Sequence, residues 1–322
     1  MNFKNVLVTG GAGFLGSNFV SKTIEDYPDS RITVLDKLTY AGDAANLEPV
    51  IDKIEFIVGD ILEPHLVKEL MSKVDLVVHF AAETHNDRSL LNPGIFFETN
   101  VLGTLNLVSS ALAKNVHFHH VSTDEVFGDT PIQSRERFTE ESAYNPSSPY
   151  SASKAGSDHL VRSFVRSFGL KATITNCSNN FGINQHWEKL IPNSIRTVLE
   201  GRPIMLYGEG ENIRDWIHVD DHTDGIWAAI RKGKEGETYL LGGDNEISNI
   251  ELSKVILRAM GESEKFYEFI ADRPGHDRRY AIDFSKAKSE LGWSPRKSDM
   301  DSQIQPIIAY YRSKYDADVR KN

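Results

Sequence analysis

The chain has a single cysteine, Cys177, in 322 residues, so it cannot close an internal disulfide and fits a reducing compartment. It also lacks any excess of positive charge: 36 lysines and arginines face 46 acids, for a formal net charge of −10. That balance excludes a broad nucleic-acid surface but leaves room for a few arginines to hold a diphosphate. No signal-peptide pattern precedes the first apolar stretch, and no apolar run is long enough to span a bilayer. Together these absences predict a cytoplasmic protein with neither membrane nor nucleic acid among its partners. What the chain does have is length, enough for a large core and for two domains or one domain with a substantial lobe.

The most informative stretch comes first. The apolar run Val6-Leu7-Val8 stops at Thr9-Gly10-Gly11-Ala12-Gly13-Phe14-Leu15-Gly16-Ser17, which reads as a buried strand, a glycine turn and a helix start. Gly10, Gly13 and Gly16 suit a sharp turn, a close approach to a pyrophosphate and tight helix–strand packing, with the helix N-terminus attracting the phosphates. A second strand, Arg31 to Leu35, ends in Asp36, 20 residues beyond Gly16, where an acid accepts hydrogen bonds from a ribose 2′-hydroxyl. The pattern predicts a dinucleotide and favours NAD, because a 2′-phosphate beside Asp36 would meet a like charge. Lys37 argues weakly for NADP and reads as an exposed side chain pointing into solvent.

The first half goes on alternating strands with helical patterns, the signature of a doubly wound parallel α/β sheet. Glu55 to Ile61 reads as a strand bringing Asp60 towards the adenine, and Asp75 to Ala82 as a strand covered on both faces, ending in small residues that let a cofactor pass. A helix is expected around Phe96 to Ala113, then the strand Val116 to Val121 with His117, His119 and His120. No carboxylate or cysteine is spaced to complete a metal shell there, so packed histidines are expected and no metal. The strand ends in Ser122-Thr123-Asp124-Glu125, a hydroxyl-rich turn with two adjacent acids where open α/β sheets bind ligands. Such residues also cap turns. Adjacent acids repel, so one is expected to stay protonated near neutral pH. Tyr150 and Lys154, at i and i+4 on an expected helix, share one face, where the ammonium can lower the phenol's pKa.

Glycine turn, Asp36, Ser/Thr-rich strand end and Tyr-x-x-x-Lys pair together resemble the extended short-chain dehydrogenase/reductases. A closer resemblance, running the full length of the chain, is to the dTDP-glucose 4,6-dehydratases. It is carried by Asp36 to Gly42, Ala81 to Ser89, Ser122 to Val126, Asn176 to Asn180, Glu188 to Pro192, Arg214-Asp215-Trp216 and Asp272 to Tyr280. The most specific element is Thr-Asp-Glu, since related epimerases place small or hydroxyl residues at the two acid positions.

The resemblance implies a Rossmann sheet with a smaller C-terminal α/β lobe and a lyase acting on a nucleotide-diphosphate sugar. C4 is oxidised by NAD, water is eliminated across C5 and C6, and hydride returns to C6, so NAD is regenerated and stays bound. Tyr150, made basic by Lys154 and the positive nicotinamide, would take the C4 hydroxyl proton while Thr123 holds the same oxygen. Glu125 would remove the C5 proton, and protonated Asp124 would protonate the departing C6 hydroxyl. Implied NAD contacts are Gly10, Gly13, Phe14, Leu15, Gly16, Asp36, Lys37, Leu38, Thr39, Asp60, Ile61, Phe80, Ala81, Ala82, Thr84, Thr99, Tyr150, Lys154 and Asn180. Implied substrate contacts are Thr84, His85, Asn179, Lys189, Leu190, Met205, Tyr207, Arg214, Asn249, Arg273, His276 and Tyr280.

Composition shifts after Asn180 place residues 1–182, with 216–244 returning, in the NAD-binding domain, and 183–215 and 245–322 in the substrate lobe. The tail from Asp301 reads as a polar helix. A homodimer is expected through the helix near Phe96 and the one carrying Tyr150, whose Leu160, Val161, Phe164, Val165 and Phe168 exceed one buried stripe. The chain departs from the family pattern at Phe127, usually tyrosine, at Asn86, usually apolar, and over Ile183 to Trp187, usually Pro-Tyr-Gln-Phe-Pro. Alternatives left open are a dehydratase of a UDP- or CDP-hexose, a 4-epimerase or decarboxylase, and a dinucleotide-sensing module without turnover.

Overall fold

The computed structural model describes residues 3–272, 275–297 and 299–321. In chain order the elements are β1 (Asn5–Thr9), α1 (Phe14–Asp26), β2 (Arg31–Asp36), β3 (Ile54–Val58), α2 (Pro64–Met71), β4 (Leu76–His79), α3 (Asn86–Leu91), α4 (Pro93–Phe97), α5 (Thr104–Lys114), β5 (His117–Thr123), α6 (Pro149–Phe168) and β6 (Ala172–Cys177). There follow β7 (Asn179–Phe181), α7 (Leu190–Leu199), β8 (Ile204–Tyr207), β9 (Ile213–His218), α8 (Val219–Lys232), β10 (Thr238–Leu241), β11 (Glu246–Ser248), α9 (Asn249–Met260), β12 (Tyr267–Ile270), β13 (Arg279–Tyr280) and α10 (Met300–Lys321).

Seven parallel strands form the main sheet in the order β10-β6-β5-β4-β1-β2-β3. The order reverses at β1, so the crevice beyond the carboxyl ends of β1 and β4 is the switch point where such sheets take ligands. β4, β5, β6 and β10 are buried along their whole length, as strands covered on both faces must be. One face packs on α1 and α8 through Phe19, Val20, Ile226 and Trp227, the other on α2, α5 and α6 through Val67, Leu70, Leu107 and Val161. The chain is a doubly wound α/β protein.

A second sheet is built around β9, which pairs with β11 antiparallel and with β7 and β13 in parallel. β8 and β12 form a further parallel pair. Their core holds Ile191, Ile195, Leu252, Ile256, Ile304 and Tyr311, joining α7, α9 and α10. The tail helix is therefore not simply polar: Met300, Ile304, Ile307, Ile308 and Tyr311 form a buried stripe.

α6 has a complete set of end signals. The Ser148 side chain accepts from Ser151 N in a reciprocal capping box, Pro149 opens the helix, and Gly169 closes it at φ 73°. Upstream, the helical stretch 93–114 contains a π-turn at Glu98–Gly103. With mean hydropathy 1.2 over its best window, this stretch is long and apolar enough to cross a membrane, contrary to the reading of the sequence. Packing accounts for part of its hydropathy, because Phe96, Leu107, Val108 and Ala111 are fully buried against the rest of the domain while Ile95, Phe97, Leu102 and Leu105 stay exposed.

Candidate active site

The glycine turn is constrained by contact. Gly10 sits at φ 72°, and a Cβ there would lie 2.5 Å from the backbone nitrogen of Ala81; one on Gly16 would lie 2.2 Å from the Gly10 carbonyl oxygen. β1, α1 and the end of β4 thus close on one another as only glycine allows. α1 starts at Gly13 with no side-chain cap and no acid in its first turn, so its leading N–H groups are left for an anion. At the end of β2, Asp36 accepts from Ala12 N at 2.9 Å and from Leu38 N at 2.8 Å. Burial raises the Asp36 pKa, and those two amides oppose the shift. Bare helix start and adjoining acid fit the diphosphate and ribose of NAD.

These elements line a cavity of about 560 Å³, a usual size for a ligand site. On its walls lie Gly10, Gly13, Phe14, Leu15, Gly16, Asp36, Lys37, Thr39, Asp60, Ile61, Phe80, Ala81, Ala82, Thr84, Thr99, Tyr150, Lys154 and Asn180 of the expected NAD set. Leu38 is not on the wall: held at φ 53°, it packs into the core on the α1 side of the sheet. Lys37 does not simply point into solvent, because its ammonium lies 2.6 Å from the Asp60 carboxylate.

The second lobe brings its residues to the same cavity. Met205 and Tyr207 alternate with buried Ile204 and Leu206 along β8, so the strand's period of two turns them outward together. Thr84, His85, Asn179, Lys189, Leu190, Arg214, Asn249, His276 and Tyr280 also line it. Arg273 lies outside the described residues. Arg214 is buried rather than a surface charge, at 4% exposure. Its guanidinium donates to the Ile213 and Asp277 carbonyls, each at 2.7 Å, and lies 4.2 Å from the Tyr280 ring centroid. Among the described ion pairs none neutralises it, which leaves a positive charge for a diphosphate.

Thr123 caps the 3-10 turn Asp124–Phe127 by accepting from Glu125 N, so the capping role and the site position coexist. The neighbouring carboxyls differ sharply. Asp124 is 1% exposed and lies behind the wall formed by Thr123 and Glu125. Burial first, then the Glu125 and Asp215 charges, raises its pKa well above the carboxylate range. Among the described residues its Oδ2 has no hydrogen-bond partner, while Oδ1 accepts from the Thr123 hydroxyl at 3.4 Å. Glu125 is on the wall and accepts from Asn86 Nδ2 at 2.8 Å. Nearby Asp277 is pushed up to about 6 by burial.

One expectation is corrected at Tyr150. Burial and the Glu125 charge raise its phenol well above the ordinary value, and only the Thr123 hydrogen bond lowers it. Lys154 instead donates its ammonium to the Val121 carbonyl at 2.8 Å. Two of the three β5 histidines bind polar neighbours, His119 with Thr173 and Thr175 and His120 with Ser157 and Asp158, while His117 packs against the Phe3 ring. Among the described residues no group of three or more His, Cys, Asp or Glu could hold a metal ion.

Sequence reasoning assigned no role to several residues gathered here. Arg88 lies 3.8 Å from the Tyr40 ring centroid and Glu188 bridges towards His85 and Arg88, joining the loops after β2, β4 and β7. Tyr40 and Glu188 stand inside motif blocks, so proximity to motif residues was the available signal.

The family model for GDP-mannose 4,6 dehydratase matches residues 7–304. A dTDP-glucose 4,6-dehydratase from Mycolicibacterium smegmatis is 49% identical over 308 residues, covering 96% of this chain and 93% of that protein. A crystal structure of the dTDP-glucose 4,6-dehydratase from Streptomyces venezuelae with NAD and TYD bound superposes with a TM-score of 0.92 at 44% identity, covering 96% of this chain and 97% of that one. A Bacillus anthracis dTDP-glucose 4,6-dehydratase in complex with NAD gives 0.90 at 38% identity, covering 97% and 98%. With its glycine turn, Glu125 and Tyr-Lys helix face meeting in one cavity and Asp124 directly behind its wall, the chain belongs to the dTDP-glucose 4,6-dehydratases, NAD-dependent enzymes of the GDP-mannose 4,6 dehydratase family.

Proposed function

We propose that this chain converts dTDP-glucose to dTDP-4-dehydro-6-deoxyglucose and water, as a step in deoxysugar synthesis. NAD, when bound, supplies the hydride acceptor for C4, the donor back to C6 and a positive ring beside Tyr150. Tyr150 Oη would take the proton from the C4 hydroxyl as the phenolate, which the positive charge of bound NAD would favour against the burial that otherwise keeps it protonated, and Thr123 Oγ1 would steady that oxygen. Glu125 takes the C5 proton made acidic by the 4-ketone. Asp124 gives its proton to the departing C6 hydroxyl, which offers the partner that buried Oδ2 lacks. Arg214 holds the diphosphate.

The observation that carries this reading is the unequal setting of the adjacent acids: one buried and driven neutral, the other on the wall accepting a hydrogen bond. An acid and a base for eliminating water need that division. The test is to incubate the purified protein with dTDP-, UDP- and CDP-glucose and follow the alkaline absorbance of a 4-keto-6-deoxy product. The dTDP sugar should be turned over fastest; no product from any of the three would refute the reading.

Residues 1–182 with 216–244 serve NAD and the remainder the nucleotide sugar, an arrangement supported by β10 joining the main sheet. β9 tempers it, since Trp216 to His218 pair with β7 in the second sheet. The protein works in the cytoplasm as a homodimer. Leu91, Phe97, Leu102 and Phe168, 86%, 44%, 52% and 62% exposed, support that assembly, whereas Val161 is fully buried and takes no part. Light scattering at micromolar concentration should give twice the chain mass, and a monomer there would count against it.

A further inference from the structure

Asn86 stands where the dehydratases this chain resembles carry an apolar side chain, and both polar atoms of its amide are hydrogen-bonded. Nδ2 donates to Glu125 Oε2 at 2.8 Å, and Oδ1 accepts from Ser148 Oγ at 2.8 Å. Ser148 is the N-cap of α6, its Oγ also accepting from Ser151 N at 3.1 Å, so the hydroxyl proton is free to go to Asn86. This pattern fixes the amide's orientation, with the NH₂ towards the carboxylate. A valine or leucine could offer neither bond.

We propose that Asn86 is a positioning residue for the C5 base, registering Glu125 against the helix that carries Tyr150. The proposal rests on the dehydratase reading. Among the described hydrogen bonds Asn86 makes the single one to the Glu125 carboxylate. Holding Oε2 fixes the side chain's rotamer and leaves Oε1 for the C5 proton. The ionisable groups that feel the Glu125 charge are Asp124 beside it, Tyr150 on α6, and Asp277 and Tyr280 on the strand-forming segment opposite. Further off, Arg214 lies over the Tyr280 ring. None of the four is a cation, so the Asn86 amide is what holds the Glu125 carboxylate in place here. Through Ser148 the same amide ties the C5 base to the cap of the helix bearing the C4 base, so the two proton acceptors keep one spacing.

The experiment compares Asn86→Val with the parent in three readouts: exchange of the C5 hydrogen with solvent deuterium, steady turnover, and single-turnover C4 oxidation by reduced-nicotinamide absorbance. Exchange and turnover should fall by roughly one to two orders of magnitude, the usual weight of a hydrogen bond to a charged group. KM should stay within about threefold, because the loss falls on the proton transfer and not on substrate binding. C4 oxidation should keep its parent rate. Exchange unchanged in rate would overturn the proposal. So would an equal loss in C4 oxidation, because Asn86 would then act through the α6 cap alone. If Asn86→Val purifies without NAD, Asn86→Ala removes the donor without new bulk and reads the same quantities. Glu125→Gln separates the two ideas: exchange surviving in that variant would sink the dehydratase assignment of Glu125 whatever Asn86 does.

Discussion

Replacing Asp124 with asparagine tests both its chemistry and its charge state. The side chain is 1% exposed, and burial beside Glu125 and Asp215 raises its folded pKa well above the unfolded value of 3.8. Between those two pKa values the folded chain keeps a proton that the unfolded chain has released. Stability conferred by this site is therefore fully present below the unfolded pKa and lost as pH rises towards the folded one, at roughly 1.4 kcal/mol per pH unit. The substituted amide carries no such linkage and has nearly the same shape. Asp124→Asn should thus gain on the parent by roughly that slope for each unit above about pH 4, measured by urea unfolding at fixed pH with NAD saturating. Its overall turnover should meanwhile drop by roughly 10²- to 10⁴-fold, the range for losing a general acid. C4 oxidation should proceed, and reduced nicotinamide should accumulate. A stability difference flat in pH, or a variant that weakens relative to the parent as pH rises, would show that Asp124 is ionised in the fold and is not the acid.

Tyr150→Phe keeps the ring and removes the base, so C4 oxidation should fall by roughly two to four orders of magnitude with substrate binding little changed; turnover within tenfold of the parent would remove Tyr150 from that role. Gly10→Ala places a methyl 2.5 Å from Ala81 N at a φ of 72°, so NAD released per chain on denaturation should collapse and the melting temperature should fall; full NAD content would contradict the close approach. Arg214→Lys keeps the charge but loses the planar fork, and it should raise KM for dTDP-glucose by roughly tenfold with kcat less affected, as steady-state kinetics would report.

The sequence by itself determined the features that depend on near neighbours. Unbroken apolar runs at Val6 to Val8 and Leu76 to Val78 specify strands buried on both faces, and the glycines at 10 and 16 specify a turn too tight for any side chain. Tyr150 and Lys154 had to share a helix face. Only the tertiary structure showed how differently the two acids are enclosed. Asp124 and Glu125 are adjacent in sequence, but Asp124 is enclosed near Asp215 while Glu125 meets Asn86, 39 positions away in the chain. Lys154 looked like the partner of Tyr150 until packing aimed its ammonium at the Val121 carbonyl. Arg214, a charged side chain that local sequence does not show to be enclosed, is buried on β9, which pairs with β7, β11 and β13. Strand periods and turns are written in local side-chain order, whereas a charge state depends on which distant groups the fold packs around it and how much water it removes.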